Sequence, residues 1–288
     1  MSHMKEVKLA SLLQLERIEQ SLFRGQSWDL GFRALFGGQV MGQAIAAAQN
    51  TLPEGRVCHS FHSYFILPGD ANIPVVYDVE NIRDGRSFST RRVTAIQHGK
   101  TIFHLTASFQ HPEKGLAHQH ADMPNVPPPD EVESDLTFFE SSLNEISERM
   151  REAIVYHKPL DMRTVQTIDP RKPVKSEPKR YIWMKAQEVL NGSVNLNQAM
   201  LAYASDYHFL ATSLQPHGIS VRNKQLRMAT IDHAMWFHHP FHFDEWLLYS
   251  TESPFSGGAR GMVRGQFFNQ QGVLVASTMQ EGLMRKVE

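Results

Sequence analysis

The chain holds one cysteine, Cys58, in 288 residues. No internal disulfide framework can form, and a reducing compartment suits it. It has no excess charge of either sign, with 29 basic and 30 acidic side chains. That balance excludes the broad positive footprint of a nucleic-acid binder. Long hydrophobic runs are missing too. The longest reaches only from Ala199 to Ala204, far short of a membrane span. The N-terminus lacks the basic-then-apolar order of a signal peptide, and Arg285-Lys286-Val287-Glu288 is not a peroxisomal address. A cytoplasmic protein without membrane or nucleic-acid partners is expected. Gly-x-Ser-x-Gly occurs nowhere, which removes the nucleophile elbow of a serine hydrolase.

What the chain does contain is a repeat. Phe65, Pro68, Tyr77, Glu80 and Arg92 recur as Phe237, Pro240, Tyr249, Glu252 and Arg264, at a constant offset of 172 residues. Gly99 and Gly272 match after a slip of one. Matter repeated at fixed spacing marks a duplicated supersecondary unit, and two copies are too few for a solenoid. We therefore expect two similar fused domains, 5–111 and 159–288, joined by a linker over 112–158. A residue present in one copy only becomes a candidate for function.

Within the first copy, Leu9, Leu12, Leu13, Leu15 and Ile18 predict a helix over 9–22. Gly37 to Ala48 predicts a second helix, apolar nearly all round and rich in small side chains, hence buried and open to close backbone approach. Strands are expected over 58–67, 74–82 and 88–109, the last broken by a turn at His98-Gly99-Lys100. One buried helix followed by antiparallel strands suggests a sheet wrapped around it, an α+β arrangement. Pro124, Pro127, Pro128 and Pro129 make the linker irregular. A short amphipathic helix is expected over 136–150. In the second copy, strands are expected over 160–163, 181–186, 228–237, 245–253 and 261–285, with a turn at Gln270-Gln271-Gly272. Leu196, Met200, Tyr203, Tyr207, Leu210 and Leu214 lie on one stripe of a long helix over 196–214.

Asp206 falls inside that stripe. Ala202, Tyr203, Phe209 and Leu210, its neighbours at helical spacing, carry no charge to pair with it. Burial there would raise its carboxyl pKa toward the range of a general base. The plainer alternative is an aspartate on the wet face of the helix. Thr230 and Gln280 are polar residues in stretches that otherwise read as buried strands. Periodicity alone does not select either.

The runs Leu22-Phe23-Arg24-Gly25-Gln26, Phe36-Gly37-Gly38-Gln39-Val40, His59-Ser60-Phe61-His62-Ser63-Tyr64-Phe65, Pro68-Gly69-Asp70, Ala229-Thr230-Ile231-Asp232-His233, Trp236-Phe237-His238 and Thr278-Met279-Gln280-Glu281-Gly282 change this. Taken in order, they resemble bacterial acyl-CoA thioesterase II over nearly the whole chain, weakening only between Gln110 and Pro159. The resemblance implies a double hotdog, two antiparallel sheets each curled around a long helix. It also implies a catalytic set of aspartate, threonine and glutamine, which fall here on Asp206, Thr230 and Gln280. Hydrolysis of an acyl-CoA thioester would follow, with Asp206 taking a proton from water that Thr230 and Gln280 orient. Backbone N–H groups at Gly38-Gln39 are one candidate for holding the oxyanion. No cofactor and no metal are implied; a homo-oligomer, dimer or tetramer, is.

Other readings of the same residues are weaker. Cys58 and His59 are adjacent in a strand and point to opposite faces, so they cannot readily share a proton. His118-Gln119-His120-Ala121-Asp122 resembles the start of a metallo-hydrolase motif, but Met123 stands where its next histidine belongs. His238, His239 and His242 read as strand and turn residues. Gly69-Asp70-Ala71-Asn72 partly resembles a hotdog enoyl-CoA hydratase motif and lacks the histidine those enzymes place after it. A non-catalytic acyl-CoA binding module is a third reading, against which the intact acid, hydroxyl and amide argue. Basic residues for the CoA phosphates are available at Arg83, Arg86, Arg91, Arg92, Lys172, Lys175, Lys179, Arg180, Arg260 and Arg264.

Overall fold

The computed structural model describes residues 8–140, 159–166, 169–190 and 193–287. The first half supplies strands β1 (Glu16–Glu19), β2 (Leu22–Gly25), β3 (Val57–Phe65), β4 (Val75–Asp84), β5 (Phe88–Gln97) and β6 (Lys100–Gln110). The second supplies β7 (Leu160–Thr164), β8 (Lys179–Ala186), β9 (Leu226–Thr230), β10 (Asp232–Phe237), β11 (Leu247–Gly257), β12 (Arg260–Asn269) and β13 (Leu274–Lys286). All join one antiparallel sheet in the order β1-β2-β4-β5-β6-β3-β10-β13-β12-β11-β8-β7, with β9 on β13. The order is symmetric about the β3–β10 pair, so that β6 matches β13, β5 matches β12 and β4 matches β11. The repeat in the sequence is this symmetry. Glu80 faces Arg92 across β4 and β5, and Glu252 faces Arg264 across β11 and β12, each as an ion pair.

The helices are α1 (Leu9–Leu13), α2 (Gly37–Gln49), α3 (Asp135–Glu140) and α4 (Val194–Ala204). Gly38 to Ala48 of α2 and Asn197 to Ala204 of α4 are buried throughout. The two helices run antiparallel and nearly touch. A Cβ on Gly38 would lie 2.2 Å from the Tyr203 carbonyl oxygen, and one on Gly42 2.9 Å from that of Ala199. Glycine at both positions is what lets the backbones meet. Ser193 caps α4, its side chain accepting from the Leu196 N–H. Two polar side chains of α2 tie it to its surroundings. Gln43 donates to the Gln26 and Leu12 carbonyls and accepts from the Tyr77 hydroxyl, while Gln39 accepts from the Trp28 N–H.

Three expectations need correcting. The helix over 9–22 stops at Leu13, and 16–25 forms the β1–β2 hairpin, whose first strand is exposed along its length. The helix over 196–214 ends at Ala204; turns follow, then a 3₁₀ segment over Leu210–His217. His208 at φ 58° is left-handed, a conformation no continuing helix holds. The strand over 228–237 is two strands, because β9 ends at Thr230 and the chain swings at Ile231. There the Ile231 N–H donates to the Glu281 carbonyl and the Phe65 N–H to the Ile231 carbonyl. Residues 111–128 hold no helix or strand, and they cross the second half. Gln119 bonds to Gly272 and Leu274, and the Trp183 indole donates to the Pro127 carbonyl. Of the helix expected over 136–150, α3 covers the start; 141–158 lie outside the described residues.

Candidate active site

Asp206 is not within a helix. It stands one residue past the Ser205 C-cap of α4, where the break aims its carboxyl at the start of α2. Oδ2 accepts from the Gly38 N–H at 3.1 Å. Gly37 leaves the necessary room, since a Cβ there would lie 2.7 Å from Oδ2. Phe65 borders the same spot, 3.0 Å from that Cβ position. Phe36 and Tyr207, with ring centroids 4.5 Å apart, add further apolar wall.

The structure brings all three expected residues together. Thr230 Oγ1 lies 3.5 Å from Asp206 Oδ1, and the Gln280 amide donates to Thr230 Oγ1 at 3.1 Å. Thr230 ends β9 just before the swing at Ile231, and Gln280 rises from β13 beside it. A strand interruption next to a functional residue commonly serves to re-aim its side chain. Burial pushes the Asp206 carboxyl up to about 6, against hydrogen bonds from Gly38, Thr230 and Gln280 that pull it down. The residue as a whole is only half-buried. A carboxylate of that kind is a competent proton acceptor near neutral pH.

Two residues that sequence reasoning did not single out complete the set. His233, fully buried on β10, places Nδ1 2.7 Å from Gln280 Oε1 and Nε2 3.0 Å from Ser205 Oγ. Burial pushes its imidazole down to about 4, so the ring is neutral. The sequence signal was there: a histidine at an inward parity of an otherwise apolar strand. The oxyanion candidate at Gly38-Gln39 is not supported. The Gly38 N–H serves Asp206, and the Gln39 N–H bonds to the Phe36 carbonyl.

The weaker readings resolve structurally. Cys58 is buried, and its backbone is bonded on both sides to the Gln198 amide of α4. Burial pushes its thiol up. His59 lies on the other face against Ser108 and Phe88. His238 bonds to Ser277. Asp70 closes a turn on Asn72. Among the basic candidates, Arg91 is fully buried and holds Asp84 and the Thr51 carbonyl, which removes it from any phosphate site. Arg92, Arg260 and Arg264 are paired with glutamates. Phe209, Leu210 and Met235 are core residues.

The opposite end of the helix pair holds a cleft of about 450 Å³ between the end of α2 and the start of α4. It is lined by Leu13, Leu15, Gln49, Asn50, Ser193 and Leu196 among others, and no acid is among its lining residues. Where α4 is followed by Asp206, α2 is followed by Thr51, bound to Arg91. The carboxylate belongs to one end only.

Fold and comparison together define a double hotdog enzyme. A chain of unknown function with a hot dog fold from Alicyclobacillus acidocaldarius superposes with a TM-score of 0.76 over 96% of this chain and 98% of that one, at 20% identity. A family model described as acyl-CoA thioesterase matches residues 153–283, and one for the acyl-CoA thioesterase N-terminal domain matches 25–110. Acyl-CoA thioesterase 2 of Haemophilus influenzae is 44% identical over 277 residues, 96% of each chain. Acyl-coenzyme A thioesterase 8 of Homo sapiens is 38% identical, covering 98% of this chain and 90% of that protein. The solved structure of acyl-CoA thioesterase II TesB2 from Mycobacterium marinum is 38% identical, with a TM-score of 0.78 over 96% of this chain and 97% of that one. The chain belongs to the acyl-CoA thioesterase family and hydrolyses acyl-CoA thioesters.

Proposed function

We propose that Asp206 is the general base of this hydrolysis, with Thr230 and Gln280 holding the water. The observation that carries the reading is a desolvated carboxylate with one oxygen committed and one available. Oδ2 is anchored by the Gly38 N–H, while Oδ1 has the long contact to Thr230, and the Gln280 amide also reaches the carboxylate. Water arriving at Oδ1 donates one proton to it and accepts from the Thr230 hydroxyl, which Gln280 polarises in turn. The remaining lone pair meets the thioester carbon. The tetrahedral adduct expels the CoA thiolate, and the proton held on Asp206 returns to the sulfur. Products are a free carboxylic acid and CoA, with no covalent enzyme intermediate.

The wall formed by Phe36, Phe65 and Tyr207 beside the carboxylate suits the acyl group and keeps bulk water from the adduct. The division into units 5–111 and 159–288 with a linker over 112–158 belongs to the same reading. Its support is that the sheet passes from one half to the other through the β3–β10 pair. A cytoplasmic location and assembly into dimers or tetramers are part of the proposal as well; sedimentation of the pure protein tests the assembly. The central test is Asp206→Asn assayed by thiol release. Loss of nearly all turnover in a folded variant is expected, a drop on the order of 100- to 10,000-fold. Wild-type turnover by that variant would remove Asp206 from the mechanism.

A further inference from the structure

Gln280 contributes only if its amide faces the right way. With the N–H side toward Thr230, the threonine hydroxyl receives a hydrogen bond and keeps its own proton for the water or Asp206. Turned over, the amide would present a carbonyl oxygen instead. Thr230 would then spend its proton on Gln280, and the water would lose its donor. Thr230 alone cannot prevent that flip, because a hydroxyl both donates and accepts. Asp206, an acceptor that the same amide reaches, favours the productive side, and the other end of the amide supplies a second control.

We propose that His233 is a positioning residue for thioester hydrolysis, its Nδ1–H fixing the Gln280 amide in the productive orientation. The inference rests on the Asp206, Thr230 and Gln280 reading above. A carbonyl oxygen only accepts, so at 2.7 Å from Gln280 Oε1 the His233 Nδ1 must carry the proton. A buried neutral imidazole then has an accepting Nε2, which lies 3.0 Å from Ser205 Oγ; the single serine proton is shared between this nitrogen and the Ala202 carbonyl, 2.9 Å away. From His233 onward every donor points the same way, through Gln280 and Thr230 to Asp206 Oδ1. Such a chain polarises along its length.

The ring has little freedom to do otherwise. It stacks on Phe61 at 6.1 Å and tilts against Phe209 at 5.5 Å. Its backbone carbonyl accepts from Ser63 Oγ of β3 at 2.7 Å, across the seam between the halves. The first half, which carries no catalytic acid, thereby helps hold in place the ring used by the second.

The experiment compares kcat and KM for thiol release in His233→Leu, His233→Asn, Gln280→Ala and the His233→Leu/Gln280→Ala double variant. Leucine removes the donor, and kcat is expected to fall on the order of a hundredfold with KM little changed. Asparagine carries an N–H close to the Nδ1 position and is expected to restore most of kcat. The double variant is expected to be no slower than Gln280→Ala alone, because His233 acts only through Gln280. Unchanged kcat in a folded His233→Leu variant, alongside a slow Gln280→Ala, overturns this inference and leaves the Asp206 reading standing. Effects that multiply in the double variant overturn it as well. A fully active Gln280→Ala removes both. If His233→Leu does not fold, the wild type decides through its histidine nitrogen resonances: an Nδ1-protonated ring is expected, and an Nε2-protonated ring overturns the proposal.

Discussion

Asp206 sits where a charge costs the fold most. It follows the C-terminus of α4, whose dipole is unfavourable to an anion, and its surroundings are apolar. The Gly38 N–H at the start of α2 offsets part of that cost. Because the carboxyl is raised to about 6 from an ordinary 3.8, the folded state binds its proton more tightly than the unfolded chain. The stabilising contribution of the protonated form is therefore fully present below pH ~4 and lost as pH rises through about 6. Asp206→Asn should accordingly be more stable than the wild type at neutral pH, by on the order of 1–3 kcal/mol, while losing activity. Melting temperatures measured from pH 4 to 8 check this; the difference should shrink toward the acid end. In the active enzyme, kcat/KM should rise with pH through an apparent pKa near 6 as the base ionises. A flat profile between pH 5 and 7 would contradict the assignment of the base.

Among the elements, α2 and α4 matter most, because their mutual approach sets the distance from Gly38 to Asp206. Gly42 lies one turn further along, against the Ala199 carbonyl. Gly42→Ala should force the helices apart and destabilise the protein by about 1–3 kcal/mol, measured by denaturant titration. A loss of activity disproportionate to the unfolded fraction would accompany it if the separation propagates to Gly38. The exposed pairs Glu80–Arg92 and Glu252–Arg264 expose the duplication without contributing much to stability, as solvated ion pairs rarely do. The break between β9 and β10 is the other element-level device. It frees Thr230 from the register of β10, so that the hydroxyl meets Gln280 across β13.

For the molecule as a whole, the two halves share a buried helix crossing and the β3–β10 seam. Neither can be exposed without uncovering apolar surface of the other. Unfolding should thus be a single cooperative transition despite the duplicated architecture. Trp28 in the first half and Trp183 and Trp246 in the second provide separate probes. Fluorescence of variants keeping one region's tryptophans should track far-UV circular dichroism at one midpoint. Two separated midpoints would mean that the halves are energetically independent. No helix among the described residues is long and apolar enough to cross a membrane.

The sequence by itself determined the duplication, the buried glycine- and alanine-rich helix, most strands and the hairpin turn at His98-Gly99. These depend on local spacing, composition and φ preference, which a chain carries wherever it folds. Asp206 stands out as an acid whose neighbours at helical spacing carry no charge, whereas Thr230 and Gln280 are picked through motif resemblance, since nothing in their periodicity sets them apart. Only the tertiary structure decided that α4 stops before Asp206: Leu210 and Leu214 stay buried, and Tyr207 partly buried, whether the backbone is α-helical or not, so the stripe does not reveal the break. Likewise, Ile231 separates two strands because β3 and β13 claim its carbonyl and N–H, and those partners lie far off in the chain. The orientation of His233 depends on Ser205 and Gln280 at once, a convergence of three distant segments that no linear pattern encodes.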